Sequence, residues 1–121
     1  MRTIEKRFIF MRVRLIKAKS IADYCTQQAR GRSSFSIWIT QLRYANWESP
    51  ADILSTFAAA DLLGNGTSRV VFNVGGNTYR VICKYYFGKN QVHLFVKWVG
   101  THAEYTKLCE QNGQYTINLF R

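Results

Sequence analysis

The stretch from Arg69 to Tyr105 constrains the fold most, because it holds three runs of alternating side chains separated by two glycine turns. The first run ends at Gly75-Gly76-Asn77 and the second ends at Gly88-Lys89-Asn90. Glycine supplies the positive φ that tight hairpin turns need. The stretch therefore predicts three consecutive antiparallel strands, a meander.

Alternation assigns the side chains of these strands to two faces, since successive residues on a strand point to opposite sides. One face is predicted to lie on the core and carries Val70, Phe72, Val74, Tyr79, Val81, Cys83, Tyr85, Val92, Leu94, Val96 and Trp98. The other is predicted to be an exposed basic surface with aromatic members: Arg69, Asn73, Arg80, Lys84, Tyr86, His93 and Lys97. No Asp or Glu occurs between Asp61 and Glu104 to neutralise that surface.

The segment before the meander predicts one strand and a helical brace. Alternation over Met11–Ile16 predicts a first strand at the edge of the sheet. Helices are predicted over 20–29, over 33–47 and from Ser49-Pro50 to about 57. The middle helix, with Ser33 or Ser34 as its cap, has an apolar stripe at helical spacing, formed by Phe35, Trp38, Leu42 and Ala45.

The segment after the meander predicts a short helix and a tail. Thr101 and Glu104 have the spacing of a capping box, which predicts a helical turn beginning after Thr101. A small strand is predicted over Tyr115–Phe120. The resulting fold class is α+β: an N-terminal strand, two to three helices, a mainly antiparallel three-stranded meander, and a short C-terminal helix or tail.

Length and charge bound the organisation and the partners. A chain of 121 residues without a dividing linker is predicted to be a single domain over 1–121. Its 17 Lys and Arg against 7 Asp and Glu give a net charge of +10, which favours phosphate polyanions, anionic membranes or an acidic protein as partners. Three widely spaced cysteines indicate free thiols. With no apolar run long enough to span a membrane or form a signal-peptide core, a cytoplasmic protein is expected.

The polar residues favour one reaction. No phosphate-cradling glycine loop, metal-ligand cluster or cofactor motif is found in the sequence, so no metal or cofactor is expected. Arg, Lys, His and Tyr suit transesterification of RNA at its 2′-hydroxyl, with His102 as acid or base. Arg80 and Lys84 lie about 13 Å apart along a strand and could flank a phosphate. Lys97 could close that cluster, and Tyr105 could stack on a base or transfer a proton.

Each of these features also has a plain structural interpretation. Basic residues on a strand face are typical of solvated surface, and a lone histidine such as His102 is typical of a capping or hydrogen-bonded residue. His93 lies in mid-strand without a partner in the sequence pattern.

Three separated blocks together resemble one protein family. They are Asn46–Asp52 (NWESPAD), Arg69–Val81 (RVVFNVGGNTYRV) and Val99–Tyr105 (VGTHAEY). In this order they are similar to the HigB family of type II toxin-antitoxin toxins, within the RelE/ParE superfamily. The resemblance covers nearly all of 11–108, which leaves 1–10 and 109–121 as possible extensions that could modify antitoxin or ribosome contact.

The resemblance implies a RelE/ParE-like fold and an mRNA interferase, a basic endoribonuclease that enters the ribosome and cuts messenger RNA without a metal. It also implies a HigA-type helix-turn-helix antitoxin as partner. Together with the strand pattern, it makes Arg80, Lys84, His102 and Tyr105 the candidates for catalysis, and Arg69, Asn73, Lys97 and His93 the candidates for RNA binding. Two rivals stay open: a ParE-like poison of DNA gyrase, and a noncatalytic ribosome-binding or RNA-binding module.

Overall fold

A computed structural model describes residues 10–120, and this part of the chain is α+β, as predicted. Its strands are β1 (Met11–Ile16), β2 (Asn46–Trp47), β3 (Asp61–Leu62), β4 (Arg69–Val74), β5 (Tyr79–Phe87) and β6 (Val92–Thr101). Its helices are α1 (Ala18–Gln27), α2 (Arg32–Arg43), α3 (Ala51–Thr56) and α4 (His102–Glu110), with 3₁₀ turns at Ala29–Gly31 and Gly113–Tyr115. None of the helices within 10–120 has the length and apolarity to span a membrane.

The strands form one mixed sheet in the order β2-β1-β6-β5-β4-β3. The antiparallel meander β4-β5-β6 is confirmed, and β1 runs parallel to β6. The prediction that β1 lies at the edge is wrong, because β2 pairs Trp47 with Met11 on its outer side. The short strand β3, which pairs with Val70 and Val71, falls where only a connection was expected.

A β-bulge on β6 changes which side chains face the core. Ile82 pairs with Trp98, but the next residue, Cys83, pairs with Val96, so Lys97 is an extra residue on β6. One extra residue inverts the alternation beyond it. Val99 therefore returns to the face that packs against α1 and α2, here called the core face, and Trp98 lies on the opposite, outer face. The prediction that Trp98 shares a face with Val92, Leu94 and Val96 is wrong for this reason.

The predicted stripe of α2 packs against the core face of the sheet. All four residues of the stripe are buried, but the helix predicted to continue to Trp47 ends at Arg43, so Ala45 lies beyond it. The ring of Trp38 lies 5.3 Å from that of Phe72. Phe57, which follows α3, also packs against Phe72, with their ring centroids 5.0 Å apart. The cap of α2 was predicted wrongly: the helix begins at Arg32 after Gly31, and no side chain caps it.

The predicted capping box of α4 is confirmed. Glu104 Oε1 accepts a hydrogen bond from the Thr101 backbone N–H at 2.8 Å, and Thr101 Oγ1 accepts one from the Glu104 N–H at 3.2 Å. The strand predicted over Tyr115–Phe120 is wrong, since this segment forms a 3₁₀ turn and irregular chain. It returns to the sheet, where the Leu119 N–H donates to the Lys97 carbonyl at 2.9 Å.

Candidate functional site

The outer face of the sheet is not the continuous exposed basic surface that alternation predicts. Its centre is an apolar cluster of Val71, Ile82 and Trp98, covered by side chains of α4 and of the tail, among them Leu108 and Ile117. Arg69 and Arg80 are only 7% and 6% exposed. The expectation that both arginines lie on open surface is wrong, because α4 and the tail fold back over this face.

Four predicted site residues gather where β6 passes into α4, and we call them the α4-end cluster: Asn73, Arg80, His102 and Tyr105. Register places Asn73 and Gly100 on either side of Arg80. The His102 N–H donates to the Thr78 carbonyl at 2.9 Å, which ties the start of α4 to the beginning of β5. The sheet and the helix therefore bring together residues from three elements.

Two hydrogen bonds fix the guanidinium of Arg80. It donates from Nη1 to the Tyr79 carbonyl at 3.0 Å and from Nη2 to Asn77 Oδ1 at 2.6 Å. A guanidinium has further N–H donors in the same plane, arranged to bind phosphate oxygens. Asn77, which the sequence pattern shows only as a turn residue, thus orients the Arg80 side chain. The sequence feature that could have indicated this contact is the position of Asn77 in a hairpin turn, three residues before Arg80.

Tyr105 packs its ring 6.2 Å from that of Trp98 and is half-buried. Burial raises the pKa of the Tyr105 phenol, a hydrogen bond with Cys109 raises it too, and the charge of Asp61 adds to the effect, while Arg80 opposes it. The phenol is therefore protonated at neutral pH and can donate a hydrogen bond. Asp61 and the outward-facing Trp98 are neighbours that sequence analysis missed, since both depend on long-range pairing.

His102 is the first residue of α4 and its side chain is exposed. Its backbone is held from both sides, since its N–H bonds to Thr78 and its carbonyl accepts a hydrogen bond from Thr106 Oγ1 at 3.1 Å. The helix start thus fixes the backbone of His102 and leaves its imidazole accessible at this end of the sheet.

Three other cations form a separate group at the far side of the apolar centre, here called the basic cluster: Arg69, Lys84 and Lys97. Register places Lys84 between Arg69 and Phe95. Burial lowers the pKa of Lys97, and the positive charges of Arg69, Lys84 and Lys17 lower it further. Lys84 is exposed and lies four residues, about 13 Å, from Arg80 along β5. The structure therefore separates Lys84 from the other predicted catalytic residues.

The tail lies beside the basic cluster. The Arg69 guanidinium donates from Nη1 to the Gln114 carbonyl at 3.1 Å, and Lys97 Nζ donates to Asn118 Oδ1 at 3.4 Å. Burial also lowers the pKa of Arg69. Ile117, which lies in the chain between Gln114 and Asn118, packs against the apolar cluster of Val71, Ile82 and Trp98. No pattern in the sequence indicated that the tail covers predicted RNA-binding residues.

Gly100 gives a test of the packing around the α4-end cluster. A Cβ at this position would lie 2.5 Å from Trp98 Cη2 and 2.8 Å from Glu104 Oε1. We expect Gly100→Ala to lower the free energy of unfolding by about 1–3 kcal/mol, as overpacking does, measured by urea denaturation. Ser36→Ala on the exposed side of α2 is the control and should change it by less than about 0.5 kcal/mol. An unchanged value for Gly100→Ala would contradict this packing.

These features define a small basic α+β protein whose cations, histidine and tyrosine are of the kinds that bind and act on phosphate esters. A family model described as HigB toxin, the RelE-like toxic component of a toxin-antitoxin system, matches residues 32–108, more than half of the chain. The chain belongs to this family, so it is the toxin of such a system and an antitoxin partner is implied. A search of curated proteins finds no match.

The matched range contains every predicted site residue, because all of them lie between Arg69 and Tyr105. It ends within α4, so the tail that contacts Arg69 and Lys97 lies outside it.

Proposed function

We propose that the protein is a ribosome-dependent endoribonuclease, an mRNA interferase that cuts translated messenger RNA and arrests growth. It acts in the cytoplasm, needs no metal ion for the cut, and is neutralised by a HigA-type helix-turn-helix antitoxin. The observation that carries the proposal is the convergence of Arg80, His102 and Tyr105 at one end of the sheet, in a chain of the HigB family. We also propose residues 11–108 as the core of a single toxin domain.

The proposed reaction is an in-line transesterification. The 2′-oxygen of one nucleotide loses its proton to a base and forms a bond to the neighbouring phosphorus. The bond from phosphorus to the 5′-oxygen of the next nucleotide breaks, and that oxygen takes a proton from an acid. The products are a 2′,3′-cyclic phosphate and a 5′-hydroxyl, and negative charge grows on the phosphate oxygens in the transition state.

The α4-end cluster offers one group for each task. Histidine exchanges protons near neutral pH, so we assign His102 to removal of the 2′ proton. Arg80, oriented by Tyr79 and Asn77, stabilises the phosphate oxygens as their charge grows. Tyr105 has a raised pKa and remains a proton donor, so we assign it to the departing 5′-oxygen.

The remaining predicted residues are assigned to holding RNA. Asn73 lies opposite Arg80 on β4 and can contact the same nucleotide. Lys84 is exposed and too far along β5 to share that phosphate with Arg80 unaided, so we assign it to a neighbouring phosphate. The charges of Lys97 and Arg69 add to the positive potential around Lys84. Because Arg69 is buried, we assign it to this electrostatic contribution and not to direct contact with RNA.

Primer extension on transcripts after brief induction tests the proposal. We expect new 5′ ends inside translated regions with the native protein, and none when translation is blocked before induction. The upstream fragments should carry a phosphate on their 3′ side, since the 2′-oxygen is the nucleophile.

Other outcomes contradict the proposal in distinguishable ways. Induction of the SOS response without mRNA fragments would indicate a gyrase poison. Salt-sensitive ribosome or RNA binding without fragments would indicate a noncatalytic module, because phosphate neutralisation releases counterions. Free 3′-hydroxyl ends on the fragments would indicate hydrolysis by another route.

A further inference from the structure

The outer face of the β5–β6 hairpin carries an aromatic strip that the proposed chemistry does not use, formed by Tyr86, His93 and Phe95. The rings of Tyr86 and His93 lie 5.9 Å apart, and those of His93 and Phe95 lie 6.2 Å apart at only 18° between their planes. Tyr86 is 62% exposed, and the other two side chains are partly exposed. Three neighbouring rings therefore lie together on this face, and each of them is at least partly exposed to solvent.

Cationic side chains border this strip on both sides. Register places Arg14 of β1 beside His93, and Lys84 of β5 beside Phe95. Lys97 Nζ lies 5.7 Å from the centroid of the Phe95 ring. The strands β1, β5 and β6 contain no Asp or Glu, so no acid on these strands offsets the cations.

We infer that the aromatic strip is a binding site for single-stranded RNA, in which bases stack on Tyr86, His93 and Phe95 while Arg14, Lys84 and Lys97 neutralise the backbone. Interleaved rings and cations are the combination that single-strand-binding proteins use, because every base has a π face and every linkage a phosphate. That the strand is messenger RNA rests on the proposed function.

Position along β5 shows which nucleotides the strip would hold. Tyr86 lies six residues beyond Arg80, or about 20 Å at the rise of a strand. That distance spans at most about six stacked nucleotides at 3.4 Å each. The strip therefore binds nucleotides that flank the cut, and the reacting linkage remains at the α4-end cluster.

Charge and exposure favour RNA over a protein partner at this face. The buried core of a protein interface is depleted of charged residues. Of the large hydrophobic side chains that are exposed in the described part of the chain, only Tyr86 belongs to this strip. Its other members are partly exposed rings bordered by positive charges, a surface complementary to a polyanion.

Equilibrium binding of a fluorescent 2′-O-methyl oligouridylate to the full chain tests the inference. This probe cannot be cut, because its 2′-oxygen carries no proton. We expect Tyr86→Ala to weaken its binding by about 5- to 150-fold, the usual loss for one base-stacking aromatic. Tyr86→Phe, which keeps the ring, should bind as the native protein does. The matched control is Tyr44→Ala, since Tyr44 is 75% exposed and follows α2 on the other side of the sheet.

Salt dependence tests the contribution of the cations. Lys84→Ala and Arg14→Ala should each make the slope of log affinity against log salt shallower by about 0.7 for each lost single-strand phosphate contact. Tyr86→Ala should lower the affinity and leave that slope unchanged, because stacking releases no counterion.

The inference is overturned if Tyr86→Ala binds the probe as tightly as Tyr44→Ala. It is equally overturned if Tyr86→Ala binds RNA normally and loses affinity only for the antitoxin, which would make this face a protein interface. Because the probe is never cut, the result does not depend on cleavage. Cleavage by the native protein together with native-like probe binding by Tyr86→Ala would refute the strip alone. Absence of cleavage by the native protein together with weakened probe binding by Tyr86→Ala would refute the nuclease alone.

Discussion

Replacing Arg80 with alanine is expected to reduce mRNA cleavage by about 10²- to 10³-fold, the loss typical of removing one transition-state charge stabiliser. Growth arrest on induction should disappear with it. Arg80 is buried beside Gly100, and its guanidinium is oriented by Tyr79 and Asn77, so it is preorganised for an oxygen whose charge grows during the reaction. Primer extension and the growth rate after induction measure the two effects.

The controls for Arg80 separate chemistry from folding. Arg80→Ala must show native circular dichroism and a cooperative urea transition before its activity is interpreted, since the side chain is buried. Arg80→Lys keeps a charge but lacks the planar fork of donors, so it should restore only part of the activity. Arg30→Ala removes an exposed arginine from the 3₁₀ turn before α2 and should remain fully toxic. Full toxicity of a folded Arg80→Ala protein would remove Arg80 from the site.

Replacing His102 with alanine is expected to slow the cleavage step by about 10²- to 10⁴-fold, the range that a general acid or base contributes. Ribosome affinity should stay close to that of the native protein, because the side chain is exposed at the start of α4 and no packing depends on it. Single-turnover cleavage on programmed ribosomes gives the rate, and sedimentation of the protein with ribosomes gives the affinity.

His93→Ala is the matched control, because the sequence contains only two histidines. His93 lies in the aromatic strip between Tyr86 and Phe95, so its loss should weaken RNA binding more than it slows the chemical step. If His102→Ala lowers rate and affinity to the same extent, His102 is a binding residue and another group takes the 2′ proton.

Much of the architecture follows from short-range patterns. The alternation and glycine turns of 69–105 predicted the meander, and the spacing from Phe35 to Leu42 predicted the buried stripe of α2. Thr101 and Glu104 predicted the cap of α4. These features depend on residues a few positions apart, so local periodicity and turn chemistry are sufficient to indicate them.

Short-range sequence patterns predicted only part of the candidate site. Arg80, His102 and Tyr105 were grouped as candidates from the strand pattern and the family resemblance, and the register places the backbone of Arg80 opposite Gly100, two residues before His102. Lys84 was grouped with them because residues of one strand face are neighbours in pattern. The strand rise already put Lys84 about 13 Å from Arg80. The structure adds that the apolar centre, with Ile82 between them on β5, separates the two side chains.

By itself, then, the sequence determined four of the six strands and the four helices of residues 10–120, their order, the positive charge and the family to which the chain belongs. The tertiary structure alone decided that Lys97 forms a bulge, that Trp98 faces outward, and that the tail reaches Arg69 and Lys97. The physical reason is that these features depend on interactions between residues far apart in the sequence. A bulge and a returning tail depend on which distant surfaces can be packed and which distant polar groups can be paired, and neither leaves a periodic signal in the chain.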